Sequence, residues 1–408
     1  MRRKLLKILA LLVGLLLLAA LCLWGRAKWV FDRDYSGVPK LAITADHSPA
    51  AVARGELLFQ SLCMECHGGA DGRATGKHLA EAPEFFGKFY SANLAHPKQG
   101  LAQRSDAEIA RTLRTGVLPS GQFSVAMSLF QGLGDEDIAA LLGYVRSEPP
   151  ALRPGGELQP PSQLTPAAQL LLAATGIEAP VEGALERIAV PKREPSVEYG
   201  RYMATIMDCV GCHTDSMETN ADKLVNPEAF AGGSELTDPT GMAIYSKNIT
   251  MDEATGIGRF SLEDFERVLT RGVRPDGYLV RKPMPLFSRF ERVEVEALYR
   301  FLKSRPKVHK ANKPGGHRLE KASPTDSPEQ LFVKVGCVAC HGSGAPYQDR
   351  LSGAAGKSDE AVAAWILDPQ ASKPGSIMPA FAQTLDREQA TRLAAYVKTL
   401  ASLAQAVH

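Results

Sequence analysis

Apolar positions along the chain fall into distinct patterns. The first is a continuous run: after Lys7 no charge occurs until Arg26, an apolar span of about 18 residues, the short end of what crosses a bilayer as one helix. The second is helical spacing. Ile138, Leu141, Leu142 and Val145 fall on one helix face, as do Leu298, Phe301 and Leu302, and Leu393, Tyr396 and Val397. Further helices are expected over 55–62 and 199–208, and a short one at the apolar run Gln169-Leu170-Leu171-Leu172. Two helix starts carry cap signals: Ser105 with Glu108 three residues on, and Ser261 with Asp264. The proline-bearing segment 149–194 and the basic, breaker-rich segment 305–327 read as linkers.

Self-comparison turns these patterns into domains. Ser105, Arg111, Leu113, Gly116, Val117, Pro119 and Gly121 match Ser261, Arg267, Leu269, Gly272, Val273, Pro275 and Gly277 without a gap, and Tyr90-Ser91-Ala92-Asn93 matches Tyr245-Ser246-Lys247-Asn248. Residues 50–148 and 195–304 are therefore copies of one helical domain. Residues 328–408 keep the frame without the Tyr-x-x-Asn segment, a compact version of the same plan.

Composition narrows the function. With 408 residues, 45% apolar and 23% charged, the chain has material for two or three globular domains. Its 47 basic and 45 acidic residues nearly cancel, which gives no field suited to nucleic acid. Basic residues before the apolar run keep that end cytoplasmic, and Trp24 and Trp29 flank its outer end as interfacial anchors. The rest of the chain is exported. A cleaved signal peptide, with Gly25 and Ala27 as the small residues, is the alternative, and it exports the same domains.

Six of the seven cysteines occur as Cys63-x-x-Cys66-His67, Cys209-x-x-Cys212-His213 and Cys337-x-x-Cys340-His341, with Cys22 alone in the apolar run. Chance would give roughly 0.003 such strings at this composition. A disulfide so short closes almost no loop, and a zinc site wants a second ligand pair that no domain offers. Two thiols and an adjacent histidine in this spacing instead suit covalent haem c, the thiols forming thioethers with its vinyl groups and the histidine reaching the iron. Three haem c groups are expected, with His67, His213 and His341 as proximal ligands.

Methionines in matching places supply the opposite axial position: Met127, Met284 and Met378, each with a phenylalanine three residues on. Pro283 and Pro285 flank Met284 and Pro379 follows Met378, stiffening those loops, whereas Met127 is followed by Ser128. His78 or His96 is the substitute ligand if Met127 is not one. Met203, Met207, Met217, Met242 and Met251 lie outside the matching slot and read as core filler. Asn93 and Asn248, kept in both copies, suit a hydrogen bond to a haem edge or to loop backbone.

With these residues in hand, the chain resembles the triheme cytochrome c subunits of membrane-bound periplasmic dehydrogenases that oxidise alcohols or gluconate. The string Tyr245-Ser246-Lys247-Asn248-Ile249-Thr250 with Thr255-Gly256-Ile257-Gly258 is particularly like that family. The expected fold is all-α, three tandem class I-like cytochrome c domains behind an N-terminal membrane helix. The apolar run and its flanks, rather than the resemblance, predict a single-pass inner-membrane protein with its haem domains in the periplasm; the retained anchor departs from that family, as does the missing proline at Met127. Electrons would come from a dehydrogenase subunit or quinone and go to a cytochrome, quinone or terminal oxidase. A multihaem enzyme with one open distal site, such as a peroxidase or sulfur-compound oxidoreductase, is the alternative; a haem sensor lacks an output domain.

Overall fold

The computed structural model describes residues 2–69, 71–79, 85–174, 186–216, 220–237, 243–275, 280, 282–313, 322–342, 347–373, 376, 378–382 and 384–406. Of the positions named above, Met217, Met242 and Gly277 lie outside these. The chain divides into two compact units, one essentially up to Val190 and one from Pro191 onward.

The first unit opens with helix α1 (Arg2–Asp32). Its leucines from Leu5 to Leu21 are exposed on every side, while Ala27 and Val30 at its end are buried. Val30 packs with Tyr35, Val117 and Phe123, and the Tyr35 hydroxyl donates to the Val30 carbonyl at 2.9 Å.

Helix α2 (Pro49–Leu58) starts at an N-cap serine, Ser48, with proline in its first turn. It passes into a π-helical turn, Phe59–Cys63, and then the short helix α3 (Met64–His67). Helix α4 (Asp106–Thr115) carries a complete capping box at Ser105 and Glu108 and ends on Gly116 at φ +70°, a left-handed cap that favours glycine. Helix α5 (Asp135–Arg146) crosses α2 so closely that a Cβ on Gly55 would lie 2.0 Å from the Ala140 carbonyl oxygen. At the same crossing Arg54 grips Asp137 through two bonds of 2.9 and 2.7 Å.

The segment after α5 stays on the domain. Strand β1 (Gly87–Lys88) pairs antiparallel with β2 (Gln163–Leu164), and α6 (Pro166–Ala174) buries Ala168 and Ala173. Arg26 of α1 donates to the Ala173 carbonyl at 3.0 Å.

The second unit repeats the plan. Helix α7 (Val197–Ile206) leads to α8 (Cys209–His213) and α9 (Asn220–Val225). Strands β3 (Glu235–Thr237) and β4 (Ala243–Tyr245) pair antiparallel. Helix α10 (Leu262–Arg271) has the Ser261–Asp264 capping box and ends on Gly272 at φ +73°. Helix α11 (Arg292–Ser304) crosses α7 at Gly200 and Ala297. There Arg193 and the Tyr199 hydroxyl both donate to Glu294, at 2.7 and 2.9 Å.

Helices α12 (Pro328–Lys334), α13 (Val338–His341), α14 (Asp359–Leu367), α15 (Pro369–Ser372) and α16 (Arg387–Ala406) follow. They enclose a core of their own that includes Leu331, Phe332, Val362, Ile366, Phe381, Leu393 and Val397. The N-cap Ser358 aligns α14 with α4 and α10: Val362 then matches Ile109 and Phe265, and Ile366 matches Leu113 and Leu269, all buried.

The helical reading of the sequence is right in outline and incomplete in detail. Two short antiparallel pairs are present as well, because extended loops running beside one another satisfy their backbone groups most cheaply as a ladder. Helix α2 begins six residues before the expected start at Gly55.

Candidate haem-binding sites

Each Cys-x-x-Cys-His motif closes on a short helix entered from another helix, which brings its histidine to a loop crossing behind it. The three imidazoles make the same bond. His67 Nδ1 meets the Ala92 carbonyl at 2.8 Å, His213 Nδ1 the Lys247 carbonyl at 2.7 Å, and His341 Nδ1 the Tyr347 carbonyl at 2.8 Å. A carbonyl oxygen can only accept, so Nδ1 carries the proton and Nε2 holds the lone pair, the tautomer of an iron ligand. Ala92 and Lys247 occupy the same place in the Tyr-x-x-Asn segments, which accounts for that segment's repetition.

Burial also disfavours the charged form at two of the three. Burial holds His67 and His213 below the ordinary imidazole value, although their ring edges keep some exposure, and Lys77 adds to the effect at His67.

None of the six motif cysteines is joined to another in a disulfide. Burial pushes Cys63, Cys209 and Cys337 up to about 12 and Cys212 up to about 11. Protonated thiols are poor disulfide formers and must lose protons before they ligate zinc. Among the described residues no group of three His, Cys, Asp or Glu side chains converges as a protein metal centre requires. A donor set of paired thiols, one lone-pair imidazole and one thioether fits haem c, whose ring brings the remaining nitrogen ligands itself.

Several residues escaped the sequence reading. Lys77 and Lys223 each stand ten residues after a motif histidine. Their ammonium groups donate to the carbonyls of Glu65 and Gly211, the residue before the second cysteine, at 2.8 and 3.0 Å. Ser91 donates to the Cys66 carbonyl at 2.7 Å. A Cβ on Gly211 would meet the Asp208 carboxylate at 2.1 Å, so that side chain would have to shift to admit one. The equal spacing of the two lysines was a readable signal.

Asn93 and Asn248 fasten backbone. The Asn93 amide donates to the Gly155 and Glu157 carbonyls at 2.9 and 3.0 Å. Asn248 donates to Val308 at 2.7 Å, and its oxygen accepts from the Thr250 amide at 2.9 Å. Each asparagine thus ties the segment after its domain's closing helix back beside the motif.

Met127, Met284 and Met378 are all half-buried. The latter two sit on loops hung from the same point: the Phe287 amide donates to the Leu269 carbonyl at 2.9 Å and the Phe381 amide to Ile366 at 3.3 Å. Met127 instead begins a 3-10 turn, Met127–Phe130. Of its alternatives, His96 Nδ1 accepts from the amides of Lys98 and Gln99, both at 3.2 Å. That places its proton on Nε2, the wrong tautomer for an Nε2 ligand. His78 packs on Tyr90 with ring centroids 5.0 Å apart.

Stretches of the chain are similar to known cytochromes. The family described as cytochrome C oxidase, cbb3-type, subunit III matches residues 50–145 and 323–397. The cytochrome c subunit of alcohol dehydrogenase (quinone) from Gluconobacter oxydans (strain 621H) is 38% identical over 133 residues, 32% of this chain and 25% of that one. The fructose dehydrogenase cytochrome subunit of Gluconobacter japonicus is 33% identical over 147 residues, covering 36% and 28%. The gluconate 2-dehydrogenase cytochrome c subunit of Pantoea cypripedii is 35% identical over 120 residues, covering 29% and 25%. The chain thus matches about a quarter of the length of these relatives. Three histidines held by backbone carbonyls behind Cys-x-x-Cys pairs go with these likenesses: over the matched stretches the chain is similar to the c-type cytochrome subunits of dehydrogenases.

Proposed function

We propose that the chain is a membrane-anchored electron carrier with three cytochrome c domains, each holding one haem c between histidine and methionine. The pairs are His67 with Met127, His213 with Met284, and His341 with Met378. The observation that carries this reading is the common Nδ1–carbonyl bond of the three histidines. Bound haem c supplies a one-electron couple and asks for no acid or base.

The protein's own part is binding, orientation and exclusion of water. The carbonyls of Ala92, Lys247 and Tyr347 fix each imidazole plane. Phe287 and Phe381, both 3% exposed, keep solvent from their methionine loops. Lys77 and Lys223 place positive charge beside the first and second motifs, which favours the less positive reduced state. Cytochrome subunits among the relatives serve alcohol, fructose and gluconate dehydrogenases by name. A dehydrogenase subunit or quinone is accordingly the donor, and a cytochrome, quinone or terminal oxidase the acceptor. The exposed apolar length of α1 supports a single-pass inner-membrane anchor with the haem domains in the periplasm.

The rival reading, a multihaem enzyme, draws on the different build of the Met127 turn. Two measurements test the choice. Mass and pyridine haemochrome analysis of the detergent-solubilised chain should give three covalent haems, and fewer defeats the proposal. Carbon monoxide added to reduced protein should bind none of them quickly, whereas fast binding at one haem transfers the case to the enzyme.

A further inference from the structure

The Trp365 indole Nε1–H donates to the sulfur of Met378 at 3.2 Å. Thioether sulfur is a weak acceptor, so the contact gains meaning from where it sits. Met378 packs against the hydrophobic core of the last domain, and Trp365 lies half-buried on α14. Lys357 places its ammonium 5.2 Å from the ring centroid, and a cation over the ring draws density from the indole and sharpens its N–H as a donor.

The matched helices have no counterpart. Counted from the N-cap serines Ser105, Ser261 and Ser358, the seventh residue is Thr112, Val268 and Trp365 respectively. The Thr112 hydroxyl donates to the Val117 carbonyl at 2.8 Å, and Val268 has no side-chain donor. Among the described residues, Met378 alone of the three matched methionines receives an indole N–H.

We propose that Trp365 is a positioning residue that sets the third haem apart by raising its reduction potential above the value His/Met ligation alone would give. The inference rests on the reading of Met378 as an axial ligand. Sulfur has two lone pairs, so one is left for the indole when the other binds iron. Hydrogen bonding there makes sulfur a weaker electron donor, which disfavours the ferric state more than the ferrous one. A raised potential would make the third haem easier to reduce: an electron given up by another ferrous haem, which becomes ferric, would take the third from ferric to ferrous.

The test is a spectroelectrochemical titration of the full-length, detergent-solubilised haem-loaded chain. Trp365→Phe should move one midpoint potential downward and leave the other two in place, with three haems still attached and the near-infrared band of methionine-ligated ferric haem intact. Trp365→His, which restores a ring N–H, should bring the shifted potential part of the way back, an effect that mere packing would not produce. If Trp365→Phe does not load with haem, Trp365→Leu serves as the donor-less variant. Unchanged potentials in the donor-less variant, with methionine ligation retained, overturn the proposal. Met378→Ala separates the two levels: loss of one methionine-ligation signature upholds the ligand reading whatever Trp365 does, and no loss defeats both.

Discussion

A Cβ built on Gly200 would stand 2.0 Å from the carbonyl oxygen of Ala297, where α7 crosses α11, and Gly55 stands in the same relation to Ala140 where α2 crosses α5. Backbone meets backbone at both crossings, so neither neighbour can swing away. Alanine is the better helix former by about 1 kcal/mol, yet overpacking here should reverse the sign. Gly200→Ala is expected to destabilise the chain by about 1–3 kcal/mol in denaturant unfolding. Gly356, with nothing within 4 Å of its Cβ position, is the control, and its alanine variant should stay within about 0.5 kcal/mol of the parent. Equal behaviour of the two variants would show that the helices do not cross this tightly.

The capping box at α4 gives a pH-dependent prediction. Bonds from the Ser105 backbone and hydroxyl hold Glu108 down from 4.5 to about 2. A carboxyl depressed on folding contributes stability above its unfolded value, and that share disappears as pH falls from about 4.5 toward 2. Ser105→Ala should cost about 1 kcal/mol at neutral pH and less at pH near 3, because the parent has by then lost part of what the variant lacks. Urea unfolding at the two pH values measures this, and an undiminished cost in acid would contradict it. The Glu108 side chain is still 25% exposed, so solvent screening keeps the acid-dependent portion small.

Arg54 and Asp137 form a pair whose side chains are 13% and 4% exposed. Removing the cation strands a carboxylate in a site where water cannot reach it. Arg54→Leu should therefore lose about 3–5 kcal/mol, while Arg54→Leu with Asp137→Leu should recover most of it, since a matched apolar pair leaves no buried charge. A double variant no more stable than the single one would mean that the salt bridge itself, not the stranded charge, holds the crossing.

What the sequence made legible follows from which interactions leave a side-chain signature. Caps do, so Ser105 and Ser261 marked the starts of α4 and α10, and the apolar stripe of Ile138, Leu141, Leu142 and Val145 marked α5. The proposed covalent haem attachment would too, through cysteine spacing. Backbone acceptors do not: nothing in the side chains of Ala92, Lys247 or Tyr347 announces that their carbonyls hold the histidines. Linkers mislead for a related reason. Prolines around 149–165 suggest a solvated connector, but Ser162 exchanges hydrogen bonds with the Tyr90 backbone at 2.8 and 3.0 Å. The segment following α11 is likewise a loop, fastened by Asn248 at Val308. The start of α2 is legible in Ser48-Pro49, a cap serine before a first-turn proline, rather than in the periodic residues beyond it.

The end of α1 bears on whether the N-terminus is retained. A helix apolar on all faces, with Leu5 and Leu16 both 70% exposed, is stable in lipid and not in water. A removable leader would need its cleavage site in an accessible, extended segment. Here the small residues Gly25 and Ala27 lie within a continuous helix that runs to Asp32. Ala27 is 2% exposed, and cutting after it would release Arg26 from the Ala173 carbonyl of α6. The 31 residues of α1 extend roughly 46 Å at 1.5 Å each, enough to cross a hydrocarbon layer of about 30 Å and still enter the first domain. Intact-mass measurement of protein purified from membranes should therefore find a chain that begins before Leu5, extracted by detergent and resistant to release by alkaline carbonate. A water-soluble product beginning at Lys28 would overturn the retained anchor.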